Sequence, residues 1–193
     1  KDEIDTVVNM GADLIMIPMF KSYQELKTIC DLIDRRCGVV PLLETTEALL
    51  RVDDILKIDN FDFIHLGLND LKIGLGVKFL FEVVSGGIIE YLGNKINNKG
   101  LEFGFGGVAR MDSGELPGSL VLSEHIRLGS DAVILSRAFH NNSKTLTELN
   151  ENVDLSAEIA KLREYEEFFR SGKVDLEENK HEFKKIVDKI LSL

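Results

Sequence analysis

The sequence predicts an α/β fold of about five strand–helix units with a helical extension at its C-terminal end. Three observations predict it. Residues 38–76, GVVPLLETTEALLRVDDILKIDNFDFIHLGLNDLKIGLG, read as strand, helix and strand. An apolar strand opened by an aspartate occurs three times along the chain. From residue 141 onward, apolar runs give way to two Glu- and Lys-rich amphipathic stretches.

In the central stretch, Gly38 to Leu43 is a short apolar run closed by Glu44. Thr46 to Ile58 has helical spacing, with Ala48, Leu49, Val52, Ile55, Leu56 and Ile58 apolar and Arg51, Asp53, Asp54 and Lys57 polar. Phe61 to Leu66 is a second apolar run, leading through Gly67, Leu68 and Asn69 to Asp70. A strand, a helix and a strand of these lengths make a βαβ unit with parallel strands. Glu44 and Asp70 then stand at the same ends of neighbouring strands. Those carboxyl ends are where chemistry gathers in barrels and in open α/β sheets.

The flanking elements repeat this alternation. Asp2 to Met10 has a short helical pattern that Gly11 can cap, and Ala12 to Pro18 is an apolar strand. Ser22 and Glu25 form a capping box for a helix from Tyr23 to about Arg35. Val77 to Asn98 is helical with Gly86 and Gly87 interrupting it, and Leu101 to Phe105 is the next strand. A loop from Gly106 to Gly118 precedes a helix over Leu120 to Leu128, and Asp131 to Leu135 is a fifth strand. The strands led by Asp13, Asp62 and Asp131 share one form, with Gly11, Asn60 and Gly129 two residues earlier as stops that tolerate positive φ. Such a βα repeat fits a partial (β/α) barrel or a doubly wound sheet. No GxGxxG or Walker loop follows the first strand, which weakens a nucleotide-binding sheet.

Residues 1–140 thus form one expected domain and 141–193 an extension for packing or oligomerisation. Within it, residues 141–155 read as a polar loop. Ser156 to Phe169 and Leu176 to Leu191 read as helices with stripes of Ile159, Leu162, Tyr165 and Phe169, then Phe183, Ile186, Val187 and Ile190. These acidic helices point to a homo-oligomer. The net charge of −10 argues against nucleic acid and anionic membrane surfaces as partners. Cys30 and Cys37, the two cysteines, read as reduced thiols of a cytoplasmic protein. No apolar run is long enough to span a bilayer, and no signal peptide is read. The chain begins with Lys1 in what reads as the middle of an α/β unit, so sequence is expected in front of it.

Two carboxylates completed by water make an all-oxygen site, suited to Mg²⁺ or Mn²⁺ rather than structural zinc. The competing readings are structural: an acid before a helix at Glu44, and a cap or turn at Asp70. His65 reads as an interior strand residue, and His125, His140 and His181 as surface. Arg110 and Arg137 each follow a strand and can reach the rim, where either can bind a carboxylate or form a salt bridge. The run Gly104 to Gly107 reads as a loop able to approach a phosphate or carboxylate.

PLLETTEAL followed by DFIHLGLNDLKIGLG, with Glu44 and Asp70 separated by 26 positions, resembles the HpcH/HpaI aldolase and citrate lyase family. GADLIMIPMF, EFGFGGVAR and LGSDAVILSRAF resemble neighbouring strands of that family, in order along the chain. The resemblance implies a TIM-type (β/α)₈ barrel, incomplete here, with Mg²⁺ or Mn²⁺ held by Glu44 and Asp70. It also implies a 2-keto acid bound through metal and the backbone of Gly67, Leu68 and Asn69. The implied reaction is reversible carbon–carbon cleavage through an enolate, with an aldehyde as second partner and Arg110 and Arg137 as substrate contacts. A phosphoenolpyruvate-type or isomerase barrel using the same pair, or a non-catalytic barrel remnant, are the alternatives. Leu68 and Asn69 replace the family's Pro and Ala. The family's first three strands, with an Arg and a His of the site, have no counterpart in this chain.

Overall fold

A computed structural model describes residues 1–193. The fold is an incomplete α/β barrel: five strands in one sheet, in the order β1-β2-β3-β4-β5, alternate with helices and are followed by C-terminal helices. The chain divides into two compact units, Lys1–Gly104 and Phe105–Leu193.

The first unit holds α1 (Asp2–Asn9), β1 (Leu14–Ile17), α2 (Tyr23–Ile33), β2 (Gly38–Leu43), α3 (Thr46–Leu50), α4 (Val52–Ile55), β3 (Phe63–Leu66), α5 (Leu68–Leu75), α6 (Glu82–Ser85), α7 (Ile88–Asn97) and the start of β4 (Glu102–Val108). β1 and β3 both pair with β2 in parallel, with Ile17 beside Pro41 and Leu43 beside Leu66. The expected capping box starts α2: the Glu25 N–H donates to Ser22 Oγ at 3.3 Å, and Glu25 Oε2 accepts from the Lys21 N–H at 2.7 Å. The core is apolar and closed, with Leu26, Ile33, Leu43, Ile55, Ile64, Leu66 and Leu71 fully buried.

Several expected elements differ. The helix read over 46–58 is two short ones, broken at Arg51 (φ −112°, ψ 17°), and the break leaves Val52, Ile55, Leu56 and Ile58 all buried. Glycines 86 and 87 separate α6 from α7, with Gly87 at φ 83°. The aspartate repeat holds in its backbone at two copies, where Gly11 and Gly129 have φ of 87° and 67°. Asn60 does not take positive φ; its Oδ1 accepts from Arg35 Nε and Nη2 instead. In the middle copy the aspartate does more than turn the chain, since Asp62 Oδ2 accepts the Val39 N–H at 2.7 Å and so ties the start of β3 to β2.

The second unit holds most of β4, then α8 (Gly118–Leu128), β5 (Ala132–Leu135), α9 (Leu146–Asn152), α10 (Leu155–Arg170) and α11 (Leu176–Leu191). The helices α10 and α11 both pack on α8. Their buried anchors, Leu162 and Phe169 from α10 and Phe183 and Val187 from α11, belong to the stripes read from sequence. The segment expected as a polar loop contains α9, because Thr145 and Glu148 form a second capping box: the Glu148 N–H donates to Thr145 Oγ1, and Glu148 Oε2 accepts from the Lys144 N–H. Gly106 and Gly107, expected in a loop, lie inside β4. A Cβ on Gly107 would stand 3.2 Å from the Ile134 carbonyl oxygen and 3.3 Å from Ser136 Cβ, so close strand packing is what this glycine permits.

His125 corrects the surface assignment. It is buried at 3% exposure, stacked on Phe105 with ring centroids 3.7 Å apart, and its Nδ1 lies 2.9 Å from Ser130 Oγ. The cause is the C-terminal pair of helices. With α10 and α11 on it, α8 is covered on faces that would otherwise meet water, so Ser123, Glu124 and His125 are buried together. His181 lies in exposed helix, as expected, with Nδ1 against the Glu177 carbonyl.

Candidate functional site

Glu44 is the first residue after β2, and Gly67 the first after β3. Since Leu43 stands beside Leu66, and the Gly67 N–H bonds to the Leu43 carbonyl at 3.0 Å, the two positions are neighbours at the C-terminal edge of the strands. Asp70 follows in the first turn of α5. The strand ends therefore bring Glu44 and Asp70 together, as the βαβ reading expects.

Glu44 is buried at 6% exposure, an uncommon place for a carboxylate. Burial pushes its carboxyl above the usual range; the Met19 N–H, donated to Oε1 at 3.1 Å, works against that, and the Asp70 carboxylate within hydrogen-bonding reach raises it further. Gly67 is the space that allows this: a Cβ there would come within 2.7 Å of both Glu44 Cβ and Oε2.

Two residues support the pair that the sequence reading did not single out. Met19 takes left-handed backbone, φ 58°, which costs a non-glycine residue energy and here directs its N–H at Glu44. Thr45 caps α3 by accepting the Ala48 N–H, and its hydroxyl donates to the Phe20 carbonyl at 2.7 Å. Residues 19 and 20, just beyond β1, are thereby fixed to residues 44 and 45, just beyond β2. Nothing in residue type marks Met19 for this role; the doubled threonine after Glu44 was the available signal for the cap.

The other expected site residues divide. Leu68 is buried, Asn69 exposed and Gly67 between the two, at the N-terminal end of α5, where no side chain caps the helix. His65 is buried in β3 as expected. Arg110 and Arg137 lie in the second unit, each two residues beyond its strand: Arg110 is half-buried and Arg137 exposed. A cavity of about 480 Å³ lined by Cys30, Arg35, Cys37, Asn60 and Asp62 opens at the start of β2 and β3, the end of the strands away from Glu44. Both cysteines are free thiols, Cys30 buried and Cys37 half-buried.

Residues 1–80 match the HpcH/HpaI aldolase/citrate lyase family. That region carries GADLIMIPMF, PLLETTEAL and DFIHLGLNDLKIGLG, so it includes Met19, Glu44, Gly67 and Asp70. The match bears out the resemblance over this part of the chain and supports a lyase-type function. No curated protein matches the chain. No helix is long and apolar enough to cross a membrane.

A divalent cation fits the pair. Glu44, buried and made harder to ionise by its burial and by the neighbouring Asp70 carboxylate, is relieved by a positive ion that both acids can ligate. No group of three or more His, Cys, Asp or Glu side chains gathers for an ion. Two carboxylates alone suit Mg²⁺, which keeps its other positions for water and substrate oxygens.

Proposed function

We propose that the chain serves a divalent-metal-dependent carbon–carbon lyase of the aldolase type, acting on a small 2-keto or hydroxy acid. The observation that carries this reading is the buried Glu44 carboxylate set against Asp70 with Gly67 opened to make room for it. Structural acids are normally paired with cations or capped; this one has a second acid as neighbour.

Glu44 and Asp70 would hold Mg²⁺ or Mn²⁺. When bound, such an ion supplies electrostatic stabilisation for the negative charge that develops on the keto oxygen as the bond breaks. The chain's own contribution is positional. The Met19 N–H fixes one Glu44 oxygen and leaves the other toward Gly67. At the start of α5, where no side chain caps the helix, the Leu68 and Asn69 N–H groups would donate to a substrate carboxylate, as helix N-termini do for anions. A cytoplasmic location, a homo-oligomeric state and the use of residues 141–193 for packing complete the proposal. Arg110 and Arg137 enter it as anion contacts of their own unit.

The test is calorimetric titration of Mg²⁺ and Mn²⁺ with oxalate or pyruvate present, on the wild type and on Glu44→Ala and Asp70→Ala. Metal-dependent oxalate binding that is lost in both variants supports the reading. Oxalate binding that persists in either variant, or no metal binding by the folded wild type, refutes it.

A further inference from the structure

Two consecutive threonines follow Glu44, and each touches a different side of the acid pair. Thr45 is buried, and its hydroxyl is used twice: it accepts the Ala48 N–H at 3.1 Å and donates to the Phe20 carbonyl at 2.7 Å. Phe20, itself buried at 3% exposure, directly follows Met19, whose N–H holds Glu44 Oε1 at 3.1 Å. Met19 keeps its left-handed φ of 58° only while its surroundings enforce it, and the buried, tethered Phe20 is the neighbour that can do so. Lys21 adds an ion pair to Glu47 at 3.1 Å, but both side chains are exposed and such pairs contribute little. The Thr45 hydroxyl therefore carries the tie between the two loops.

Thr46, the first residue of α3, faces α5. A Cβ on Gly74 would stand 2.9 Å from Thr46 Cγ2, well inside the about 3.5–4.0 Å at which carbon atoms pack. Gly74 lies within α5 and has no positive φ, unlike Gly76 just beyond it, so no turn calls for a glycine there. Glycine inside a helix weakens it relative to alanine, and close approach is what this one permits. Asp70 and Gly74 are one helical turn apart and share a face of α5. Gly67, two turns before Gly74, makes the same kind of room for Glu44. Two glycines thus seat α5 on Glu44 and Thr46, with Asp70 between them.

We propose that Thr45, Thr46 and Gly74 are positioning residues for the Glu44–Asp70 pair. Thr45 holds the Met19 N–H against Glu44 by way of the Phe20 carbonyl, and Thr46, seated over Gly74, sets how closely α5 brings Asp70 to it. The consequence for metal affinity rests on the reading of the pair as a divalent-cation site. The positioning itself is measurable without metal.

The full chain, labelled with ¹⁵N and ¹³C, is first measured with a chelator present. Thr45→Val, nearly isosteric, should speed hydrogen exchange at the Met19 amide about tenfold, while the amides of Leu26 and Leu92 in the core keep their rates and Thr45→Ser restores the wild-type value. Gly74→Ala should move the Asp70 carboxyl ¹³C resonance without changing Met19 exchange. Thr46→Ser in the Gly74→Ala background, which removes the clashing Cγ2, should move it back. Calorimetric titration with Mn²⁺ follows: Thr45→Val and Gly74→Ala should each weaken binding about tenfold, and the two rescued proteins should bind like the wild type. Unchanged Met19 exchange in Thr45→Val, acceleration shared equally by Leu26 and Leu92, or an unmoved Asp70 resonance in Gly74→Ala overturns the proposal. So does wild-type Mn²⁺ affinity in both variants. A wild type that binds no Mn²⁺ refutes the lyase reading instead, and the measurements with chelator still decide the positioning.

Discussion

Each unit buries one glutamate, and the two are treated in opposite ways. Glu124, at 2% exposure in α8, is gripped by Arg127: Nε donates to Oε1 at 2.9 Å and Nη2 to Oε2 at 2.8 Å. Glu44, at 6% exposure after β2, has a backbone N–H and a second carboxylate instead. A bidentate ion pair completes its own charge and has no need of a ligand. An acid beside an acid is incomplete, and we propose that this incompleteness marks Glu44 as a binding position rather than a structural one. Burial alone would have flagged both.

Breaking the completed pair should have the largest effect. Arg127→Met leaves Glu124 buried without its partner and is expected to destabilise the second unit by about 3–5 kcal/mol, read by urea unfolding. Filling the space beside the incomplete one comes next. Gly67→Ala drives a methyl group to within 2.7 Å of Glu44 Cβ and Oε2, and should cost about 1–3 kcal/mol by the same measurement while abolishing metal binding.

Cys30 extends the comparison to a buried thiol. Burial pushes its thiol up to about 11 from 9.0. Above pH 9 the unfolded chain releases a proton that the folded chain retains, so stability is whole below pH 9 and falls as pH rises toward 11. Stability measured across that range should decline less in Cys30→Ala. At neutral pH a thiol reagent should label Cys37 quickly and Cys30 only on unfolding. Removing the tension between Glu44 and Asp70 is the smallest change: Glu44→Gln retains an oxygen for the Met19 N–H, and its stability should match or exceed the wild type by up to about 1 kcal/mol.

The same contrast explains what was legible in the sequence. Glu44 and Asp70 were readable because a βαβ unit with short strands fixes which ends align, and both acids stand just beyond those ends. The stripes of α10 and α11 were readable because helical spacing leaves little freedom over sixteen residues. His125 and Glu124 were not, since what buries them is packing by α10 and α11, elements that follow them in the chain. Met19 was invisible for a different reason: its role belongs to its backbone N–H and a left-handed φ, neither of which residue type announces. The capping box at Thr145 and Glu148 has the same form as the one at Ser22 and Glu25, and the polar composition around it concealed α9.

We propose that Glu44 and Asp70 are an incomplete pair that a divalent cation completes. Thermal melting of the wild type and of Glu44→Gln, each with a chelator and with excess Mg²⁺, tests it most directly, because an ion that binds only the folded state raises the melting temperature. A rise with Mg²⁺ is expected in the wild type and none in Glu44→Gln. Equal shifts in the two proteins, or no shift in the wild type, would contradict it.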